Sequence, residues 1–367
     1  MAHVLFVLPV MKLSGAERVV VDLARRLPKR GFETSIVCLE DDRTGFGDEL
    51  RAEGIAVSGL RLSRRRLHAC ARALVKVLPS ARPLIVNSHL FHANISARLA
   101  IRRLEPQQRA GVHVLSTVQV AERRFRPWHF WLDAWTARHA RNEICVSRAV
   151  ERFQREKTGL PAEFFRVIES GIDLDAFGPG RRDKVGATRV LSVGRLDPQK
   201  NYQMLLKAWA QVQSAIPHAR LCIAGDGSEG ERLRALSEKL ELKHVEFPGF
   251  VKDVPALMRS ADLYVQTSNW EGFGLTVAEA MATALPVIVT DADSLPELVT
   301  HGRTGVVVPK NDDAALSAAM LGMMNDGLRA RELGDAARAE ALKRFSAVRM
   351  ADDYARLFES VLSEKPS

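Results

Sequence analysis

Apolar positions along the chain come in short runs, each closed by a turn-forming stretch and followed by residues spaced at helical intervals. The run at 3–8 leads through Pro9-Val10-Met11-Lys12-Leu13-Ser14-Gly15-Ala16-Glu17 into a segment whose Val19, Val20, Leu23 and Leu27 share one helical face. Ser14 and Glu17 have the spacing of a capping box, and Gly31 follows the helix. Further strands are predicted at 33–39, 84–87, 112–117, 143–147 and 165–168, mostly with helical segments between them. Strand and helix in alternation predict a parallel, doubly wound sheet.

Glycine, proline and charge interrupt the alternation over 171–187, and a linker is placed at 176–187. A second series then begins, with strands predicted at 189–193, 220–224, 245–247, 263–267, 286–290 and 305–309. Two lobes are therefore expected, 1–175 and 188–345, with a cleft between them and ligands beyond the carboxyl ends of the strands. Helices are predicted at 312–324, 328–344 and 347–363. The last segment, 346–367, either packs on the second lobe or crosses back to the first.

Length and composition agree with this reading. The 367 residues suffice for about two domains of ~150 residues, and 46% apolar with 26% charged residues is ordinary for a globular chain. The first ten residues lack a basic lead-in and a cleavage site, and no apolar run reaches the ~20 residues of a membrane span, so a cytoplasmic protein is expected. Cys38, Cys70, Cys145 and Cys222 are scattered and read as buried thiols.

Charge changes the picture more. Net charge is +9, and residues 51–150 hold 18 Lys and Arg against 5 Asp and Glu. That surplus suits an anionic partner for the first lobe, such as a phosphate-rich acceptor or anionic lipid. It includes Arg64-Arg65-Arg66 and the run Arg123-Arg124-Phe125-Arg126-Pro127-Trp128-His129-Phe130-Trp131, with Trp135 and Arg138 behind. Arginines beside aromatic rings suit the inner face of a membrane; the competing reading makes the three tryptophans core residues of a helix.

The densest candidate chemistry is Trp270-Glu271-Gly272-Phe273-Gly274-Leu275-Thr276-Val277-Ala278-Glu279. It follows a strand and opens a helix, so the backbone of Gly272, Phe273, Gly274 and Leu275 is open to a ligand. Glu271 and Glu279 would reach different hydroxyls, one on a sugar and one on a ribose. The stretch resembles the E-x7-E element of the retaining glycosyltransferases of family 4. That resemblance implies an α/β chain of GT-B fold, two Rossmann-like parallel-sheet domains facing across a cleft. It implies a nucleotide-sugar donor, with Glu271 on the donor sugar and Glu279 on the ribose.

Other stretches match the same family in order. Gly194-Arg195-Leu196-Asp197-Pro198-Gln199-Lys200-Asn201 is similar to its pyrophosphate clamp, which assigns Arg195 and Lys200 to the phosphates. Gly225 corresponds to a turn near the donor and Val251 to a backbone contact with the base. Ser14-Gly15-Ala16-Glu17 resembles a loop of two glycines before Ala-Glu, with Ser14 in the first glycine's place and Gly15 free to approach the donor phosphate. At 117–119 relatives often read Thr-x-His, whereas this chain has Gln119, which cannot carry a proton near neutral pH. His89 and His92, in Asn87-Ser88-His89-Leu90-Phe91-His92, are equally compatible with core and catalytic roles.

The resemblance thus implies a retaining hexosyltransferase with a saccharide or lipid-linked acceptor. Catalysis would rest on Glu271, Arg195 and Lys200, with no metal and no cofactor; no acidic metal-binding cluster is evident, and no nucleic-acid partner is expected. A nucleotide-sugar 2-epimerase of the same fold would turn over donor alone, and a non-catalytic sugar-nucleotide binding module would turn over nothing. A nicotinamide dehydrogenase is disfavoured because no G-x-G-x-x-G follows either leading strand.

Overall fold

Val4 to Leu8 are fully buried, and so are Leu84 to His89. A strand covered on both faces belongs inside a parallel sheet with helices above and below it. The structure is a computed structural model and describes residues 1–12, 14–42, 45–179 and 188–363. The expected linker at 176–187 lies outside the described residues from 180 onward, as do Leu13 of the first loop and residues 364–367.

Contacts divide the chain into two units, 1–171 with 347–367 and 172–346. The first unit holds β1 (Ala2–Leu8), β2 (Phe32–Cys38), β3 (Ala56–Gly59), β4 (Leu84–His89), β5 (Val112–Val118), β6 (Asn142–Cys145) and β7 (Phe165–Val167). All pairs are parallel, in the order β3-β2-β1-β4-β5-β6-β7. The second unit holds β8 (Arg189–Val193), β9 (Arg220–Ala224), β10 (Val245–Gly249), β11 (Leu263–Gln266), β12 (Val287–Thr290) and β13 (Val306–Val308), also parallel, in the order β10-β9-β8-β11-β12-β13.

Strand order reverses direction beside β1 and β4 in one unit and beside β8 and β11 in the other. Helices leave the sheet on opposite sides of such a point, so their connecting loops part and open a crevice at the carboxyl ends. Each unit closes on its own apolar core. Leu5, Val7, Val86, Ala97 and Val114 belong to one, and Leu205, Trp209, Leu221, Ile223 and Val265 to the other.

Strand β3 was not among the predicted elements. It has four residues at the sheet edge, and only Val57 is buried, so it carries almost no apolar signal. The helix Ala347–Ser363 belongs to the first unit, where Phe358 meets the Phe32 ring edge-on at 5.8 Å and Asp352 accepts from Arg30 Nε at 2.6 Å.

The first unit also buries charge. Arg98, in the helix Phe91–Arg102, is fully buried and pairs with Asp133 and with Glu143 Oε2, the latter at 2.7 Å. Gln154 Nε2 donates to Asp133 Oδ2 at 3.1 Å and to Glu143 Oε1 at 3.0 Å. Burial, and then the Asp133 charge, push the Glu143 carboxyl up to about 7 against the pull of Arg98. The folded state thus holds a proton on Glu143 over a range where the unfolded chain has released it, and this group's contribution to stability falls as pH rises toward about 7. Arg98→Met strands both carboxylates. It is expected to lower the unfolding free energy by about 3–5 kcal/mol at pH 8 and by less at pH 5.5, where Glu143 can neutralise itself. Urea titrations at both pH values check this; equal losses would contradict it.

Candidate functional site

In the second unit, the loops after β8 and β11 are tied together across the point where strand order reverses. Asn269 N donates to Gln199 O at 2.7 Å, Gln199 Nε2 to Trp270 O at 2.9 Å and Asn269 Nδ2 to Pro198 O at 2.9 Å. Thr267 Oγ1 donates to Lys200 O at 2.9 Å. These bonds fix the loop that carries Lys200 against the loop that carries Glu271. The β9 and β10 turns join them: Gly194 N donates to Ala224 O at 3.0 Å and Gly225 N to Gly249 O at 2.8 Å. At Gly225, φ is +139° and an added Cβ would lie 2.0 Å from Gly194 O, so only glycine lets these backbones touch.

The result is an ion pair between Lys200 Nζ and Glu271 Oε1, with side chains 13% and 8% exposed. Oε1 also accepts from Ser268 Oγ at 2.7 Å. Ser268 Oγ takes a bond from Gln266 Nε2 at 2.8 Å, and Gln266 Oε1 one from Tyr264 Oη at 2.8 Å. Tyr264, Gln266 and Ser268 alternate along β11 and its exit, so strand periodicity sets one face toward this carboxylate. Sequence reasoning passed over all three, although polar residues at every second position of an otherwise apolar strand were a usable signal.

The other expected residues fall differently. Arg195 does not join the Lys200–Glu271 pair. Its side chain is 63% exposed, with Nη2 lying 3.2 Å from Asp197 Oδ2 and 3.4 Å from Gln199 Oε1. The Phe273 side chain is core, 4% exposed and edge-on to Phe345 at 5.5 Å, so it can offer a ligand only its backbone. Gly274 has φ of +101°, and an added Cβ would meet Leu295 at 2.8 Å, which places glycine at the start of the helix Leu275–Ala282 for backbone reasons. Gly272 lies in the same loop. Glu279, one turn inside that helix, is 1% exposed and no surface carboxylate. Val251 is half-buried just beyond β10.

In the first unit, Gly15 is exposed and opens the helix Gly15–Arg26 after β1. The expected capping box is not formed: Ser14 Oγ donates to the Glu17 carboxylate and makes no cap bond to the backbone. His89 ends β4, is fully buried and has its pKa pushed down by desolvation to about 3; it contacts Asn87 and Gln119. Burial and the nearby Arg64 charge lower His92 to about 4. His89 is thus a neutral core histidine. Gln119 follows β5 and is half-buried.

The helix Pro127–Ala137 divides its tryptophans, with Trp135 half-buried against the first unit's apolar core. Its buried face is Phe130, Asp133, Thr136 and Ala137, whereas Trp128 is 53% and Trp131 66% exposed. Trp131 stacks on Trp135 at 6.2 Å, and the guanidinium groups of Arg102 and Arg138 stand 5.3 and 5.0 Å from the Trp135 ring centre. All four cysteines are free and buried. Among the described residues, no helix is long and apolar enough to cross a membrane.

Comparison with known proteins adds to this geometry. The family described as Glycosyltransferase Family 4 matches residues 13–176, and that described as Glycosyl transferases group 1 matches residues 181–340. The chain is 34% identical over 254 residues to a phosphatidyl-myo-inositol mannosyltransferase of Mycobacterium leprae, covering 67% of this chain and 64% of that relative. It is 25% identical to the UDP-Gal:alpha-D-GlcNAc-diphosphoundecaprenol alpha-1,3-galactosyltransferase of Escherichia coli, covering 86% of each. Its fold matches the crystal structure of Anabaena Alr3699/HepE in complex with UDP at a TM-score of 0.84 and 24% identity, over 97% of this chain and 99% of that one.

A pair so shielded should act as a unit even without ligand. Lys200→Met and Glu271→Gln are each expected to destabilise the protein more than the double variant does, with a coupling of about 0.5–3 kcal/mol. A double-mutant cycle by chemical denaturation measures it, and strictly additive effects would show the two side chains to be independent.

Proposed function

Because this chain belongs to glycosyltransferase family 4, with the group 1 module as its second half, we propose that it moves a hexose from a UDP- or GDP-linked donor to an envelope saccharide or lipid-linked acceptor, with retention and without a metal. The observation that carries the proposal is the Lys200–Glu271 pair held by tied loops where strand order reverses. The UDP named with the Anabaena structure and the lipid-borne acceptors named in the two relatives support the choice of substrates.

In this reading the donor's phosphates take Lys200 Nζ as a partner, and Arg195, on the same loop, reaches them from its exposed position. Both meet the negative charge that grows on the leaving diphosphate. Glu271, freed from Lys200, accepts from hydroxyls of the sugar, and Glu279 from the ribose. The bond from the anomeric carbon to the diphosphate oxygen breaks as the acceptor oxygen bonds to the same face. The acceptor's proton passes to the departing phosphate oxygen. Since Gln119 cannot serve as a base, this route leaves the phosphate with that task.

The exposed tryptophans favour a second element of the proposal, peripheral contact of the first unit with an anionic bilayer on the cytoplasmic side. Trp128 and Trp131 would lie at headgroup depth while Arg102, Arg124, Arg126 and Arg138 meet lipid phosphate. Each well-placed arginine adds about 1 kcal/mol of attraction, so four hold the protein reversibly.

Three measurements test these statements. NMR of the product is expected to show the donor's anomeric configuration retained; an inverted product would end the family's mechanism for this chain. Calorimetry should find that Glu279→Ala weakens binding of the free nucleoside diphosphate, whereas Glu271→Ala leaves it intact and slows transfer by about two to three powers of ten. Equal loss of nucleotide affinity in both would contradict the division of roles. In sedimentation with vesicles containing phosphatidylglycerol at low salt, the wild type should pellet and Trp128→Ser/Trp131→Ser should remain in the supernatant. Equal recovery with neutral vesicles would favour a soluble acceptor.

A further inference from the structure

Two groups hold the Glu271 carboxylate, and both hold the same oxygen. Oε1 takes the Lys200 ammonium and, at 2.7 Å, the Ser268 hydroxyl, whereas Oε2 has no hydrogen-bond partner among the described residues. The main chain here is pinned as well, since Glu271 N donates to Asp293 Oδ2 at 3.3 Å. The residue is thus fixed at its backbone and at one carboxylate oxygen, with the other left over.

The direction of the supporting bonds follows from Oε1, which can only accept. Ser268 has one hydrogen, and it goes to Glu271. Its oxygen then takes a bond from behind, from Gln266 Nε2 at 2.8 Å. Gln266 Oε1 in turn accepts from Tyr264 Oη at 2.8 Å and from Thr276 Oγ1 at 3.4 Å. Turning the Gln266 carboxamide over would claim the Ser268 hydrogen for Oε1 and set a hydroxyl lone pair against the carboxylate. Tyr264, Gln266 and Ser268 are all buried, so such a mismatch would go uncompensated. The main-chain oxygen of Ser268 also takes a bond from Thr290 Oγ1, at the end of β12, at 2.7 Å. The hydroxyl therefore rests on two strands and is aimed at Oε1 independently of Lys200.

That independence matters once a phosphate competes for Lys200. The last torsion of a glutamate is broad and roughly two-fold, so a carboxylate stripped of its only partner could exchange its two oxygens. The Ser268 bond prevents this, because it comes from the strand exit and not from the cation that leaves.

We propose that Ser268 is a positioning residue for Glu271: it keeps Oε1 when the donor's phosphate draws Lys200 away, and so leaves Oε2 as the oxygen that meets the sugar. The proposal rests on the transferase reading above. It deepens that reading by naming the group that keeps the carboxylate aimed during the exchange of partners.

The test uses the full chain and those of UDP-glucose, UDP-galactose and GDP-mannose that bind the wild type by calorimetry, with the matching free nucleoside diphosphate as control. Ser268→Ala is expected to weaken nucleotide-sugar binding about three- to tenfold while the free diphosphate binds as before. In a Glu271→Ala background the same change should cost nothing further, because its effect passes through that carboxylate. A purely structural role would add in full to Glu271→Ala. That result, or unchanged nucleotide-sugar affinity in Ser268→Ala, would overturn the proposal.

Ser268→Ala alters a buried site, so a second measurement is made on the wild type: a crystal structure of its complex with a nucleotide-sugar that binds. Ser268 Oγ should remain within hydrogen-bond distance of Glu271 Oε1, with a sugar hydroxyl on Oε2. A sugar hydroxyl on Oε1 with Ser268 released would overturn the role. Failure of all three probes to bind wild type would count against the transferase reading and the positioning role together, whereas binding indifferent to Ser268 defeats the role alone.

Discussion

An ammonium and a carboxylate taken out of water together, Lys200 and Glu271, are the constraint on which the second unit's site depends. Either charge alone would be costly at that depth, and removing one partner leaves the other without compensation. Their pairing demands that two loops from β8 and β11 hold position to within a hydrogen bond, and the surrounding structure supplies this. Backbone bonds tie 198–201 to 267–270, and the polar face of β11 hands a bond along to Glu271. In the proposed reading, a donor diphosphate would offer Lys200 a stronger acceptor than one carboxylate, and its sugar would offer Glu271 hydroxyl donors in exchange. On that reading the site is assembled before ligand arrives, and binding would exchange partners more than it reorganises backbone.

The first unit solves a related problem by another route. At the carboxyl ends of its β4 and β5 a hydrogen-bond chain links Leu115 O, Asn87, His89 and Gln119. Deeper in the unit, Arg98 between Asp133 and Glu143 shows the cost of burying more negative than positive charge, paid in a Glu143 carboxyl that holds its proton to about 7.

Much of this was legible in the sequence. Twelve of the strands could be placed because each is a short run with apolar residues closed by turn-forming ones, continuous where both faces are buried as in β1 and β4, and the loops with candidate chemistry followed from where those runs ended. Glycines at 225 and 274 signalled backbone that no other residue could follow. What periodicity could not reveal was side-chain partnership. Nothing in the order of residues said that Lys200 would meet Glu271 while Arg195 turned to Asp197, or that Arg98 would be buried among acids. Phe273 lay inside a ligand-facing motif yet packs into the core, because a loop's backbone and its side chains can face opposite ways. The aromatic spacing at 128, 131 and 135 pointed equally to burial and to exposure, and the packing of Phe130 and Thr136 divides it: Trp128 and Trp131 are exposed, whereas Trp135 is half-buried on the core.

The central claim is that protein cations, with no metal ion, hold the donor's diphosphate at the reversal point of the second sheet. It is tested most directly by titrating UDP and GDP into the protein in EDTA and repeating the titration with Lys200→Ala. The account predicts that one of the two binds the wild type under chelation and that Lys200→Ala binds it tenfold or more weakly, as the loss of a charge-assisted contact of roughly 1.5–3 kcal/mol requires. Binding that appears only when magnesium is added, or that is the same in Lys200→Ala, would contradict it.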